Sequence, residues 1–463
     1  MENWNADFSH LPYSPFSELK KATIVVIIAI SAIISPLAAN MYYPAIQQTR
    51  EDLHTTMSGI NATMSVFTFG QAVFPLVWSA VADNYGRRIV YLASLAVYIA
   101  GSAGCAVSQN LAGMIVCRIV QACGASAVQG AGAGTIADIY ERERRGTALG
   151  LYYLGPLLGT SLAPLVGGYS AQTLGFRWIF WILTIFGGVM FIVTFLGLPE
   201  THRRIVAEKH DIQPINIPTK HSFKDGGNPL SVVVYLRYPN IAIVCFQLAM
   251  IFGMMFGVAS VNPIAYENIY GLSQGTTGLC YLGMGCGNIV GAFTGGRITD
   301  WQIRREKKRL ANKRPAEESC GENDCAQIRG GMEIRLQTTW IGGILFLVGV
   351  YTMGWFIQAR LCLVAIIIVQ FLIGMGTSFQ FNQMSSYFID LFPTSAASIT
   401  SVQNFVRGVW AGVCIEILPT MINNIGWGPT FTTFGSFALL GSILVHVVAI
   451  KGDCLRRQFN FSA

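Results

Sequence analysis

Several ionisable and amide side chains lie inside long apolar stretches of this chain, where a charged or unpaired polar group is costly. They are Arg118, Arg407, Glu416, Asn40, Gln121 and Gln129. Such groups normally face a water-filled cavity, a ligand or one another. Glu416 is the one acid clearly inside such a stretch, so we predict that it contributes to proton coupling or binds a cation. A paired carboxylate at an outer gate is the alternative.

Arg118 lies about a third of the way through its apolar stretch. In a helix it shares a face with Gln121, and Gln129 extends that face. The pattern indicates a guanidinium that tunes a proton-carrying group or contacts a ligand. A structural role, with hydrogen bonds to neighbouring carbonyl groups, is the alternative.

Two short strings match each other in residue type and spacing. The first is Ser79-Ala-Val-Ala-Asp83-Asn-Tyr-Gly86-Arg87-Arg88, and the second is Gly296-Arg-Ile-Thr-Asp300-Trp-Gln-Ile-Arg304-Arg305. Each combines a small residue, an acid and an arginine pair after a long apolar stretch. We predict two copies of a charged latch, with the second weaker because Ile303 replaces the glycine. The alternative is that these charges only set the orientation of the chain.

Small residues recur along a third apolar stretch at helical spacing. The residues of this motif are Gly155, Pro156, Gly159, Ala163, Pro164, Gly167 and Gly168. Proline bends a helix, and small residues let neighbouring helices approach closely. We predict a pivot between helices, and a plain packing groove is the alternative.

These residues must be positioned by elements that the composition identifies. Apolar residues make up 52% of the 463 residues and charged residues only 12%, and mean hydropathy is +0.48. Soluble domains carry about 25% charged residues. A membrane-spanning helix needs about 20 mostly apolar residues, and the chain holds twelve such stretches. The sequence therefore predicts an all-α integral membrane protein.

Basic residues fall almost entirely on one side of the predicted membrane. Of the 31 Lys and Arg residues, only Arg50, Arg177 and Arg360 lie in connections on the opposite side. Basic connections mark the cytoplasmic side, so we place both termini there. The predicted organisation is a tail over 1–21, a six-helix bundle over 22–198, a linker over 199–239, a second bundle over 240–450 with a cytoplasmic loop over 301–335, and a tail over 451–463.

These motifs together resemble the major facilitator superfamily. Asp83 to Arg88 is similar to its first-loop signature, Arg118-x-x-Gln121-x-x-Gly124 to its fourth-span signature, and Gly159-x-x-x-Ala163-Pro164-x-x-Gly167-Gly168 to the antiporter signature of its fifth span. Ser35-Pro36, Leu198-Pro-Glu-Thr and Asn228-Pro229-Leu230 resemble the fungal twelve-span drug:proton antiporters of the quinidine-resistance and dityrosine-exporter type. Ser79, Ala122 and Ala163 replace glycines of the family pattern.

The resemblance implies two pseudo-symmetric six-helix bundles that export drugs, amphiphilic cations, polyamines or related metabolites by alternating access. It implies multidrug resistance as the biological role, the proton gradient as energy source, and the plasma membrane as location, with the vacuolar membrane as the alternative. We expect no cofactor, no metal, no catalytic residue and no nucleic-acid partner. We expect a monomer in the bilayer that takes protons and a small-molecule substrate.

Aromatic and amide residues of the spans are the expected substrate contacts: Tyr43, Phe67, Gln71, Phe246, Gln247, Asn382 and Gln383. Two buried arginines against one buried acid leave room for an anionic or zwitterionic substrate instead of a cation. Two further alternatives are an importer or uniporter of a small nutrient and a non-transporting sensor with a transporter fold. The chain has no P-loop motif, so ATP is not the expected energy source.

Overall fold

The computed structural model describes residues 16–140, 145–202, 205–206, 236–312, 332–391 and 396–458. These residues form helices and no strand. The helices of the N-terminal half are α1 (Glu18–Ala32), α2 (Ile34–Asn40), α3 (Ile46–Asp52), α4 (Met57–Tyr85), α5 (Arg87–Val107), α6 (Leu111–Ile139), α7 (Arg145–Leu174) and α8 (Phe176–Gly197), with a 3₁₀ turn over Tyr43–Ala45.

The C-terminal half repeats this plan with six long helices. They are α9 (Pro239–Asn268), α10 (Gln274–Asn312), α11 (Thr339–Gln358), α12 (Leu363–Leu391), α13 (Ala396–Ile425) and α14 (Trp427–Gln458), with a 3₁₀ helix over Met332–Thr338 before α11. Parts of the predicted tails, linker and 301–335 loop lie outside the described residues.

Eleven stretches of the described chain are long and apolar enough to cross a membrane, and the first of them runs continuously over Glu18–Asp52. The predicted eighth span lies in α10, which is long but rich in glycine and therefore less apolar. Its glycines pack closely on neighbouring backbones: a Cβ at Gly287 would lie 2.1 Å from the Phe371 carbonyl oxygen. The all-helical membrane architecture predicted from the sequence is confirmed.

Local sequence explains where several helices begin. The side chains of Ser17, Thr56 and Asn110 accept hydrogen bonds from backbone N–H groups of the first turns of α1, α4 and α6, which is the usual N-cap arrangement. Gly86 separates α4 from α5 with φ of 99°, a conformation that favours glycine. In the second copy of the motif no glycine follows Asp300, and α10 continues without a break to Asn312.

Each half has its own apolar core. One buried cluster takes all its residues from 241–449. Two others belong to the N-terminal half, and only Ala259, Tyr281 and Ile415 join one of them from the other half. The halves therefore have separate cores and meet where α7 packs on α10 and α4 packs on α13.

Hydrogen bonds between described residues of the two halves lie at one end of the molecule. We call the end at which α8 finishes and α9 begins the linker face and the opposite end the far face. At the far face Gln47 Nε2 donates to Asn268 Oδ1 over 3.1 Å, and the Gly275 N–H donates to Gln172 Oε1 over 2.9 Å. Both hydrogen bonds that join described residues of different halves are here. Described hydrogen bonds therefore hold the two halves together at the far face.

Candidate functional site

Arg118 lies in a closed pocket of the N-terminal half. Its side chain is 1% exposed, and Nη1 donates to the Ala38 carbonyl oxygen and to Gln121 Oε1, both over 2.9 Å. Gln121 Nε2 in turn donates to Ser102 Oγ over 2.9 Å. These bonds join α6 to α2 and α5. The geometry therefore has the features of the structural alternative for Arg118, although Nε has no partner among the described residues.

Aromatic rings enclose the Arg118 guanidinium. The ring centroids of Tyr42, Phe67 and Phe180 lie 4.4, 5.0 and 5.1 Å from Cζ, close enough for cation–π attraction. Phe67, an expected substrate contact, is thus part of this enclosure. Tyr43 is also buried and stacks on Tyr281 of α10 with ring centroids 6.4 Å apart, so it belongs to the seam between the halves.

A second polar group lies around Ser35 of α2. Gln71 Nε2 and Gln129 Nε2 donate to Ser35 Oγ over 2.6 and 2.8 Å. Both glutamines are half-buried, and neither amide oxygen has a partner among the described residues. Asn40 instead donates to the Pro36 carbonyl oxygen of its own helix over 2.8 Å. Gln71 and Gln129 therefore present two free acceptors beside the seam.

The predicted amides of the C-terminal half hold helices together. Gln247 Nε2 donates to Gln380 Oε1 over 2.9 Å, Asn382 donates to the Ala292 carbonyl oxygen over 2.9 Å, and Gln383 donates to Thr338 Oγ1 over 2.9 Å. Phe246 packs against the core of the same half. The structure therefore does not bring the seven expected substrate contacts into one site.

Arg407 lies on α13 where helices of both halves meet. Its Cζ is 4.5 Å from the ring centroid of Phe252 on α9 and 5.2 Å from that of Phe381 on α12. Tyr153 of α7, in the other half, is near enough for electrostatic interaction. Arg407 makes no hydrogen bond or ion pair with a described residue. The sequence pointed to Arg407 but gave no sign that Phe252, Phe381 and Tyr153 surround it.

Two acids lie between this region and the far face. Glu416 of α13 is half-buried and forms no ion pair with a described residue. The alternative, in which Glu416 is ion-paired at an outer gate, therefore lacks a partner residue in the described part of the chain. Glu267, near the end of α9, has one carboxylate oxygen enclosed without a hydrogen bond and lies close to Glu51 of α3. Both carboxylates therefore lie near the contact between the two halves.

Around the first copy of the latch, Glu200 supplies contacts that sequence reasoning missed. Its carboxylate accepts hydrogen bonds from the backbone N–H groups of Arg87 over 2.9 Å and Arg88 over 3.1 Å. Gly86 has no side chain to cap α5, so a residue distant in sequence performs that function. The Leu198-Pro-Glu-Thr string, noted only as a subfamily resemblance, was the available signal.

The arginine pair makes its described contacts within the N-terminal half. Arg87 Nε donates to Asp138 Oδ2 over 3.1 Å, and Arg88 Nη2 donates to the Phe195 carbonyl oxygen over 2.7 Å. The side chains of Asp83, Asp300 and Arg304 lie outside the described residues. Latching between the halves stays a prediction.

In the C-terminal half, the counterpart of the Arg87–Asp138 pair comes from outside the repeated string. Arg335, just before α11, donates from Nε to Asp390 Oδ2 at the end of α12 over 2.5 Å. Arg305 instead is exposed and stacks on Trp301 of its own helix, with Cζ 5.2 Å from the ring centroid. Because α10 continues past Arg305, the arginine that begins the next spanning helix is Arg335.

Residues of the glycine motif pack against neighbouring helices on two faces of α7. On one face, a Cβ at Gly155 or Gly167 would lie 2.0 or 1.9 Å from the carbonyl oxygens of Ala29 and Met41, and Gly159 packs on Pro36. On the other, a Cβ at Gly168 would lie 2.4 Å from the Gln274 carbonyl oxygen. Pro156 and Pro164 lie within the helix. Helix α7 thus joins the first span of its own half to α10 of the other half.

Comparison with known proteins decides the family. The family model described as Major Facilitator Superfamily matches residues 28–415, which is most of the chain. This chain belongs to the Major Facilitator Superfamily. The superfamily predicted from the motifs is confirmed, while membership of the drug:proton antiporters stays a prediction.

Relatives of this superfamily member include fungal transporters of similar length. It is 30% identical to MFS-type transporter R5 of a Phoma species over 96% of the chain and 87% of the relative. It is 29% identical to citrate exporter 1 of Aspergillus niger, covering 94% and 87%, and 27% identical to efflux pump radE of Floropilus chiversii, covering 96% and 82%. The named relatives are transporters, and nothing in them indicates catalysis.

Among solved structures, a bacterial homologue of the human lysosomal transporter Spinster, in an inward-facing and unoccupied conformation, matches with a TM-score of 0.65. It covers 94% of this chain and 98% of its own, at 11% identity. At that identity the likeness shows the fold alone. The superfamily fold predicted from the sequence is confirmed.

Proposed function

We propose that this protein is a proton-coupled exporter of small organic molecules that works by alternating access. One observation carries the proposal: the hydrogen bonds that join described residues of the two halves, Gln47–Asn268 and Gln172–Gly275, both lie at the far face, as expected of a state closed on that side. A substrate would enter from the linker face and leave after the seam had moved to that side. Transport then needs two packings of the same halves.

We assign the linker face to the cytoplasm because nearly all Lys and Arg residues outside the spans belong to connections and tails on that side. The state described here would therefore be open to the cytoplasm and ready to load a substrate for export. The plasma membrane is the proposed location. Relatives named as a citrate exporter and an efflux pump support the outward direction.

For proton coupling we propose Glu416. It is a half-buried carboxylate with no ion-pair partner among the described residues, in an apolar helix that packs against the other half through Ile415. A carboxylate without a cationic partner in such a place can gain and lose a proton as the seam opens and closes. Arg118 would support this cycle by holding α6 against α2, not by contacting the substrate.

The test is transport by the purified full chain in proteoliposomes with an imposed pH gradient. The assay follows proton movement with an internal pH dye and substrate movement with a panel of labelled amines, carboxylates and neutral compounds. We expect a substrate to move against proton flow. A substrate that moves without any proton movement would disprove antiport.

The role of Glu416 is tested in the same vesicles with Glu416→Gln. We expect transport whose rate no longer depends on pH, because the amide cannot titrate. Asp52→Asn, at an exposed acid of α3, is the matched control and should keep the pH dependence of the unmodified protein. An unchanged pH profile in Glu416→Gln would exclude Glu416 as the coupling group.

A further inference from the structure

We propose that Gln403, Arg407 and Trp410 form an anion-binding stripe on α13 and that the exported substrate is a small organic anion. The inference rests on the proposed export function and adds the charge of the substrate. It differs from the cationic drugs that the family resemblance predicts. The three residues are hereafter called the α13 stripe.

The α13 stripe is a single line along one helix face. Residues spaced by four and then three positions lie almost directly above one another in an α-helix, and these three span about 10 Å along the axis. Gly408, next to Arg407, packs against Ala72 of α4, where an added Cβ would lie 2.6 Å from the alanine Cβ. This close approach places the stripe beside the contact between the two halves.

All three side chains have hydrogen-bond donors without acceptors among the described residues. Gln403 is 1% exposed, and neither of its amide atoms has a partner. The Trp410 indole N–H is likewise enclosed and unpaired. Arg407 has neither a hydrogen bond nor an ion pair. Buried polar groups are normally paired, since an unpaired one costs about 1–3 kcal/mol. The enclosed, unpaired groups of Gln403 and Trp410 lie on either side of the half-buried Arg407, and together the three side chains indicate a ligand that supplies acceptors.

The surroundings of Arg407 favour a negative ligand. Among the described groups, Tyr153 is the only titratable side chain that acts electrostatically on it, and no carboxylate does so. Phe252 and Phe381 pack against the guanidinium and against each other, with ring centroids 5.2 Å apart and planes at 76°. Rings beside a guanidinium leave its N–H groups available for a carboxylate, which can accept two of them at once.

The same surroundings disfavour a cation. An ammonium group beside Arg407 would meet a like charge in a site of low dielectric constant, where repulsion is strong. Phe252, Phe381 and Tyr153 provide aromatic surface for an apolar body next to the bound charge. The chemical class that fits is an organic carboxylate with an apolar or aromatic part.

The proposal is tested with the full chain in proteoliposomes, using phenylacetate and phenethylammonium as a pair with the same aromatic body and opposite charge. Citrate and succinate extend the anions, and spermidine extends the cations. We expect uptake of at least one carboxylate and of neither cation. Transport of a cation, or of none of the three carboxylates, would overturn the proposal.

Membrane potential gives a second, independent measurement. When one monovalent anion leaves in exchange for one entering proton, the net transfer is two positive charges inward. When one monovalent cation leaves in exchange for one proton, no net charge is transferred. A K⁺ diffusion potential should therefore change the rate of phenylacetate transport severalfold. Potential-independent exchange of a cation for protons would retain the proposed proton-coupled function and disprove the anion site. Carboxylate transport without proton movement would retain the site and disprove proton coupling.

Variants connect the charge preference to the α13 stripe. Arg407→Gln should lower carboxylate transport at least tenfold, and Arg407→Lys, which keeps the charge but loses the paired N–H groups, should lower it less. Arg177→Gln is the matched control, because Arg177 also packs on a phenylalanine, 4.8 Å from the Phe176 centroid, but at the far face. Equal carboxylate transport by Arg407→Gln and Arg177→Gln would contradict the assignment.

Discussion

The clearest conformational prediction concerns Gly168 on α7, which faces the opposite half. A Cβ placed there would lie 2.4 Å from the Gln274 carbonyl oxygen and 3.3 Å from the Gly278 Cα. Ordinary contacts of a Cβ begin near 3.4 Å, so Gly168→Ala requires α7 and α10 to separate by about 1 Å here. In the proposed transport cycle, the clash exists only while the far face is closed.

The size of the effect follows from this geometry. Adding a methylene-sized group to a tight packing site costs about 1–3 kcal/mol. Because the cost falls on the far-closed state alone, Gly168→Ala should shift the balance toward the far-open state by about 5- to 150-fold. A ligand-free protein would then spend much more time open at the far face.

The assay measures the distance between spin labels on α3 and α9. Labels are attached through Gln47→Cys and Asn268→Cys, since these two side chains bond to each other at the closed far face over 3.1 Å. The eleven native cysteines are first replaced. In Gly168→Ala, the fraction of long label distances should rise severalfold over the protein with native Gly168.

Two matched variants separate this effect from general damage. Gly150 on the same helix has no neighbour within 4 Å of an added Cβ, whereas one at Gly155 would lie 2.0 Å from the Ala29 carbonyl oxygen inside its own half. Gly150→Ala should change nothing, and Gly155→Ala should lower thermal stability without changing the distance populations. If Gly168→Ala and Gly150→Ala give the same distance distribution, the reasoning is wrong.

Three further predictions concern charged side chains. Glu200→Gln should lower the melting temperature by a few degrees, because the cap of α5 loses its negative charge, which contributes about 1–2 kcal/mol of stability. Glu18→Gln, in an exposed salt bridge of α1, is the control and should leave the melting temperature unchanged. Arg118→Lys should abolish transport while the folded protein is still seen by size-exclusion chromatography. Lysine lacks the planar guanidinium that packs among the rings of Tyr42, Phe67 and Phe180; full activity would show that the charge alone suffices. Asp83→Asn should reduce transport more than Asp300→Asn at equal expression, because the break at Gly86 is absent in α10; equal losses would refute that asymmetry.

The sequence placed several features correctly because they depend on local composition. Spanning helices follow from runs of apolar residues, since every backbone polar group in lipid must bond within its own helix. Arg118 and Arg407 stand out by the same rule, as charges inside such runs. The difference between the two strings at Gly86 and Ile303 also had a visible consequence, because only the first copy ends its helix there.

Pairings between distant residues could not be read in this way. Arg118 and Arg407 look alike in sequence. Arg118 is enclosed by hydrogen bonds and rings in its own half, whereas Arg407 packs on Phe252 and makes no hydrogen bond with a residue that the structure describes. The amides Gln247, Asn382 and Gln383 likewise looked suited to a substrate, but hydrogen bonds between helices occupy them. Which polar groups remain unpaired depends on every neighbouring helix at once.

The sequence by itself determined the membrane architecture, the superfamily and the positions of the buried charges, because hydropathy and motif spacing are properties of contiguous residues. Only the tertiary structure decided that Glu200 caps α5, that Arg335 is the counterpart of Arg87, and that the α13 stripe lies beside the seam. These facts depend on how helices from separate parts of the chain pack. That packing is set by side-chain shape at many contacts, which no single stretch of sequence records.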